Sequence, residues 1–495
     1  MSPLKQKLTR FYASLGSRYM PFADVTTPDL PLSRLLRLSL FQISVGMTLV
    51  LLVGTLNRVM IVELGVPATV VGVMIALPLL FAPFRALIGY KSDTHRSELG
   101  WRRVPFIWRG TLLQFGGYAI MPFALLILAG RGESHDAPLW LGHGAAALAF
   151  LLVGAGAHTV QTAGLALATD LTPPQSHARV VGLMYIMLLV GMIVSALIFG
   201  FILSDFAAPR LIQVIQGAAI VCVAFNAIAA WKQEPRDPRR RPSANHADPT
   251  FAEAWSSFCR GHDTVRRLVV VGFGTMAFSM SEVLLEPYGG EVLKWTVAST
   301  TQLTALLSLG SLAGLVFGSY VLRGGVNPYR ITFLATAIGV PAFVCVIAAA
   351  PLQFDAAFLA GNVMIGFGAA LFAHATLTAT MNQAPRDQAG IALGAWGAVQ
   401  ATAAGLAMAI GSIVRDLVDI LQGAEQQVGF FVREATGYLV VYSIEIVLLG
   451  ITVLALLPLI RRRTRGAKTS RAHTHQTPHE AVPAQARNPS AEMTS

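Results

Sequence analysis

Twelve times along this chain, a run of some twenty to thirty residues passes with hardly a charge in it. The runs are 38–62, 66–89, 104–129, 140–168, 178–203, 210–231, 266–288, 296–322, 328–350, 354–381, 387–414 and 437–460. At about 1.5 Å per residue, a helix of that length crosses a hydrocarbon core of about 30 Å. A spanning segment must satisfy its own backbone hydrogen bonds, so the runs predict helices and the chain an all-α polytopic membrane protein. The composition agrees: 54% of the residues are hydrophobic and 13% charged, against roughly 25% charged in soluble domains. Forty-five glycines suit helices that pack closely in lipid.

The charged residues set an orientation. Of 37 Lys and Arg, 29 fall in the arm, the linker, the tail and alternate loops, and three (Arg58, Arg85 and Arg109) within spans. The other five, Arg131, Arg210, Lys294, Arg415 and Arg433, lie on the opposite side. Short loops rich in Lys and Arg stay in the cytoplasm, which predicts both termini inside. The net charge of +11 is explained by this topology, and no nucleic-acid partner is expected. Cys222 and Cys345 lie in apolar spans and Cys259 in a polar loop. With no CxxC pair, neither a disulfide framework nor a metal site is predicted.

The expected organisation is a cytoplasmic arm over 1–37, a six-helix bundle over 38–231, a proline-rich cytoplasmic linker over 232–265, a second bundle over 266–460 and a basic, disordered tail over 461–495. The arm lacks the apolar core of a signal peptide. It reads either as a basic amphipathic helix on the membrane surface or as a disordered extension. The two bundles echo each other: a shift of 212 positions superposes Gly154 on Gly366, Gly156 on Gly368, Asp170 on Asn382, Pro173 on Pro385 and Gly182 on Gly394. Two six-helix pseudo-repeats joined by a polar linker resemble the major facilitator superfamily, in which a central cavity lies between the halves.

The loop after the second run, RALIGYKSDTHRSELGWRRVPFIWR, holds Gly89 and Asp93 in a G-x-x-x-D pattern followed by Arg102 and Arg103. That is similar to the superfamily's signature loop, although the two arginines arrive late. Gly89, Asp93, Arg102 and Arg103 are therefore candidates for a conformational latch on the cytoplasmic side; the alternative is a generic positive-inside loop.

Charges inside the membrane are costly unless paired or hydrated, which makes each one a functional candidate. Arg58, Arg85, Arg109, Glu282, Glu286, Glu445, His158 and His374 lie within or at the ends of spans. Glu282 and Glu286 stand four residues apart on the seventh span, ahead of Pro287 and the Gly289–Gly290 pair, where a helix break is expected near the periplasmic end. They suit a proton, an amine or a metal-bearing pigment, or an ion pair with a residue such as Arg58; for Glu286, near the interface, simple hydration is a third reading. Glu63 follows Arg58 by five positions, too far round an α-helix for an ideal pair, so Arg58 is expected to reach another helix. His158, near Gly154, Gly156 and Gln161, suits an axial ligand for the magnesium of a chlorophyll-type ring or a hydrogen-bonded structural role; His374 carries the same two readings. Gly310, Gly314 and Gly318 form a row read as lipid-facing, for packing within the bundle or against a partner.

Several long blocks carry a more specific resemblance: FQISVGMTLVLLVGTLNRVMIVELGVPA, PFRALIGYKSDTHRSELGWRRVPFIW, GAGAHTVQTAGLALATDLTP, VVGLMYIMLLVGMIVSAL and LLEPYGG. Over about residues 34–460 the chain resembles the PucC/LhaA family of purple phototrophic bacteria, in the bacteriochlorophyll-delivery branch of the major facilitator superfamily. The resemblance implies a factor for light-harvesting antenna assembly in the intracytoplasmic membrane. Its implied partners are core or peripheral antenna polypeptides, membrane lipid and bacteriochlorophyll or its biosynthetic enzymes, with bacteriochlorophyll a bound or carried. The candidate pigment or substrate residues are Arg58, Arg85, Arg109, His158, Gln161, Glu282, Glu286 and His374.

No enzyme is expected. The chain has no paired D-x-x-x-D motifs and no phosphate-binding Walker loop, and Asp416–Asp419 is a lone DxxD. Two other readings stay open. One is a proton-coupled transporter of a small anionic, pterin- or porphyrin-like molecule, held by the arginines with a glutamate carrying the proton. The other is a structural partner that packs on antenna helices without holding pigment.

Overall fold

The computed structural model describes residues 31–80, 92, 101–130, 137–172, 177–234, 263–383, 389–421, 427–428 and 431–474. The expectations for Arg85, Gly89, Asp93 and Cys259, and for the arm before residue 31, lie outside the described residues.

The first half is built of Leu32–Glu63, Ala68–Leu80, Val104–Leu128, Leu139–Asp170, His177–Ile202 and Ala208–Ala230. The second is built of Thr264–Ser279 with Leu285–Glu291, then Val297–Arg323, Pro328–Leu352, Asp355–Gln383, Ala389–Leu421 and Arg433–Thr474. These are spans 1 to 12 in chain order. Among the described residues ten are long and apolar enough to cross a membrane. Span 2 stops where the described residues end, and span 7 is in two pieces. A two-residue antiparallel pair, Gln427–Val428 with Phe431–Val432, sits between spans 11 and 12.

Large apolar side chains such as Phe115, Phe123, Trp140, Phe201, Tyr320 and Leu454 are exposed on the outside. Water would make that surface an aggregation hazard, whereas lipid makes it the solvent-facing side. This is a multi-pass membrane protein.

The internal repeat is visible in the packing. Gly154 of span 4 lies against Pro78 of span 2, and Gly366 of span 10 against the backbone of Leu307 in span 8. Gly156 meets the backbone of Gly110 in span 3, and Gly368 that of Ala335 in span 9. Corresponding glycines thus let corresponding helices touch. The halves meet where span 1 packs on spans 7 and 8, span 2 on span 11, and span 5 on span 8.

Two features depart from the sequence reading. The row Gly310, Gly314 and Gly318 does not face lipid: a Cβ at Gly310 would fall 2.1 Å from the Val363 carbonyl oxygen, and one at Gly314 2.4 Å from that of Phe367. Spans 8 and 10 touch through their backbones here, which only the missing side chains permit. Span 12 also continues past its apolar part to Thr474, through RRRTRGAKTSRAHT. Arg, Lys and Ala favour helix, and cations suit a helix C-terminus.

Candidate functional site

Span 7 breaks between Ser279 and Leu285, upstream of the expected position. Pro287 has no N–H to donate to the carbonyl four residues back, which leaves the oxygen of Val283 without a helical partner. Asn57 of span 1 takes its place, donating from Nδ2 at 2.6 Å. On the other side of the break, the Ser281 N–H donates to Oε1 of the fully buried Glu445 of span 12 at 2.6 Å. Two long-range side chains hold the opened backbone. The glycines after Pro287 remain inside the short helix Leu285–Glu291 and do not end it.

Arg58 does pair with Glu63, contrary to the α-helical expectation. Span 1 is π-helical over Val50–Leu56 and again over Val59–Glu63. A π-turn bonds i to i+5, as the Leu64 N–H does to the Val59 carbonyl, and so brings residues five apart onto one face. The buried guanidinium also donates to the Trp295 carbonyl at 3.3 Å, so it reaches the second half, at the link between spans 7 and 8 rather than at a helix.

Between the halves, Glu282 and Glu286 border one cavity of about 50 Å³, with Leu49, Val53, Gly54, Thr304 and Asn362 also on its wall. Glu286 Oε1 accepts from the Thr304 hydroxyl, while its Oε2 and the Asn362 Oδ1 are buried without a hydrogen-bond partner. Gly54 is needed here, because a Cβ would lie 2.6 Å from Glu286 Oε1. The break puts Glu282 in a turn and Glu286 in the short helix, so they share a cavity rather than one regular helical face.

A buried polar network in the first half escaped the sequence reading. Asn226 accepts from Ser44 at 2.6 Å and donates to Thr111 and Gln114 at 3.0 and 3.3 Å. Gln114 and Tyr118 donate to Thr48 at 3.1 and 2.9 Å. The signal was there: Ser44 and Thr48, Thr111 with Gln114 and Tyr118, and Cys222 with Asn226 recur at helical spacing inside apolar runs. Such a network ties spans 1, 3 and 6 together.

At one end of the bundle, Arg102 and Arg103 both donate to Asp170 Oδ2, at 2.6 and 3.0 Å, and Arg103 donates to Ser92 at 2.5 Å. The Glu234 carboxylate accepts from the N–H groups of Arg102, Arg103 and Val104 at 2.7 to 3.0 Å, capping span 3. These bonds join spans 3, 4 and 6 of the same half. At the other end, Asp416 of span 11 accepts from the Thr69 N–H of span 2 at 2.6 Å. Arg415 bonds Glu291, Asp416 and Asp419, and its guanidinium lies 4.9 Å from the centre of the Tyr438 ring. The DxxD is therefore part of an ion-pair cluster at a junction of the halves.

The remaining candidates are scattered. Arg109 is exposed on span 3, over the Phe106 ring at 5.5 Å. His374 Nε2 lies 3.2 Å from Ser319 Oγ in the tight contact of spans 8 and 10. Gln161 donates to Gln42 at 3.4 Å, and His158 is half-buried three residues before it. Neither histidine borders the Glu286 cavity or a cleft of about 420 Å³ lined by Val59, Glu63, Leu125, Phe206 and Leu211 among others.

Twelve spans in two repeated halves, with buried charge concentrated where the halves meet, define a membrane protein of the major facilitator fold. Solved structures agree. A bacterial homologue of the iron transporter ferroportin, inward-facing, matches with TM-score 0.64 at 12% identity, covering 86% of this chain and 98% of its own. The nucleoside transporter NupG matches with TM-score 0.59 at 12% identity, covering 85% and 98%. Within that fold, the family model described as PUCC protein matches residues 55–464, and the chain belongs to the PucC family. It is 58% identical to Protein PucC of Rhodovulum sulfidophilum over 86% of this chain and 94% of the relative. It is 52% identical to Protein PucC of Cereibacter sphaeroides, over 93% and 98%. A more distant relative, at 26% identity over 84% and 92%, is the bacteriochlorophyll synthase 44.5 kDa chain of Rhodobacter capsulatus.

Proposed function

We propose that this protein is a non-enzymatic assembly factor for a photosynthetic light-harvesting antenna, which hands bacteriochlorophyll to newly inserted antenna polypeptides or shields them until assembly is complete. Membership of the PucC family carries this reading. The basic loops favour both termini in the cytoplasm, with the protein in the intracytoplasmic membrane. Its partners are the antenna polypeptides and the pigment or the enzymes that make it.

The cavities bear on where a pigment cargo would sit. The one at Glu286, about 50 Å³, has room for little more than a water, whose share of liquid volume is about 30 Å³. The cleft between spans 1, 3 and 6, about 420 Å³ with Glu63 on its wall, falls in the range of ~300–1,000 Å³ typical of ligand sites. His158 on span 4 and His374 on span 10 are the imidazoles that suit an axial ligand, and neither borders either cavity. The test is purification in mild detergent from pigment-replete cells. The protein is expected to carry bacteriochlorophyll, with less in His158→Ala at equal yield; a colourless protein that captures no antenna subunit overturns the reading.

A second reading, proton-coupled transport of a small anion, draws on the carboxylates between the halves and on a fold shared with transporters. Uptake into proteoliposomes under a pH gradient would favour it.

A further inference from the structure

We infer that the cavity between the halves binds one small alkali-metal cation of sodium size, on oxygens of Glu282, Glu286, Asn362 and Thr304. The wall brings together spans 1 and 5 of the first half (Leu49, Val53, Gly54 and Met192) and spans 7, 8 and 10 of the second. Its polar groups come from the second half, and its apolar lid from the first.

Charge is the first argument. The Arg58 guanidinium pairs with Glu63 and donates to the Trp295 carbonyl, and its charge acts on Glu286 only without an ion pair. Glu282 and Glu286 both border the cavity, and among the described residues neither makes an ion pair with a basic side chain; a buried carboxylate without a paired counter-charge is expensive. The unmet atoms are the second argument. Glu286 Oε2 and Asn362 Oδ1, on residues 4% and 1% exposed, are both acceptors without partners, and both residues border the same space. What they lack is a positive charge or a donor. Thr304 pins the other Glu286 oxygen and keeps a lone pair for the cavity.

Size and donor type narrow the ligand. A cavity of about 50 Å³ takes one ion with at most a water, since a water's liquid share is about 30 Å³. Calcium wants about 6–8 oxygens and magnesium retains several waters, more than four side chains and this volume supply. Transition metals favour imidazole or thiolate, which the wall lacks. A monovalent ion held by the carboxylates, an amide and a hydroxyl remains, and it offsets one negative charge, which leaves room for a proton on the second carboxylate. Lying under span 1, it would hold the halves together at this level.

This inference does not rest on the antenna reading and can fail without it. The test uses the full chain in detergent, unfolded thermally while sodium chloride replaces choline chloride at constant ionic strength. A ligand that binds only the folded state raises the unfolding temperature saturably. The expected result is such a rise with sodium, smaller with potassium, and lost in both Glu286→Gln and Asn362→Ala. Asn362→Ala carries the test if Glu286→Gln does not fold. No difference between sodium and choline overturns the proposal, as does a sodium rise retained in the folded variants. A rise produced by acid alone, without sodium dependence, overturns it in favour of a proton.

Discussion

Asn57 donates its side-chain amide to the carbonyl of Val283 at 2.6 Å, filling the bond that Pro287 withholds and stitching span 1 of one half to the break in span 7 of the other. Removing one partner leaves a buried carbonyl unsatisfied, at a cost of about 1–3 kcal/mol. Asn57→Ala is therefore expected to lower the thermal unfolding temperature in detergent. Pro287→Ala restores an N–H at the right place, so the double variant should lose less than the sum of the singles. Strict additivity would contradict the pairing.

The π-helical register of span 1 makes the Arg58 site specific for a guanidinium. Arg58 serves Glu63 and Trp295 at once, which a fork with several donors can do and a single ammonium does poorly. Arg58→Lys is expected to destabilise by about 1.5–3 kcal/mol, the range for hydrogen bonds to charged groups. Thermal unfolding beside a surface control such as Arg210→Lys measures it.

Glu234 caps span 3 through three consecutive N–H groups. Glu234→Ala should cost about 0.5–2 kcal/mol, as caps do, and should speed proteolysis near Arg102. Unchanged cleavage kinetics would argue against the cap.

Glycines divide by their surroundings. At Gly314 a new Cβ would meet the Phe367 backbone at 2.4 Å, whereas at Gly116 nothing lies within 4 Å. Gly314→Val is expected to cost about 1–3 kcal/mol by overpacking or more. Gly116→Ala, in a helix, should be neutral or stabilising by up to about 1 kcal/mol. Size-exclusion profiles and unfolding temperatures of the two variants separate these outcomes.

Much of the fold is legible because lipid demands it: long apolar runs must be helices, and Gly154 with Gly366 betrays the repeat before any packing is seen. Glu282 and Glu286 stand out for the same reason, as charges where charges are costly. The site's connections are not legible, because they depend on departures from regular helix. Arg58 and Glu63 look mismatched until the helix is π. The break in span 7 follows from Pro287 rather than from the glycines beside it, and Asn57 and Glu445, far away in sequence, hold it open. Arg102 and Arg103 advertise a loop, but their partner Asp170 lies at the end of another span. Cations and glycine rows announce that they need a neighbour without saying which.

The most direct test of antenna assembly as the role is the near-infrared absorption spectrum of membranes from a strain lacking this protein. The account predicts loss or strong reduction of an antenna band with the reaction-centre bands retained, restored by the wild-type chain in trans. Antenna bands of full intensity in the deletion strain would contradict it.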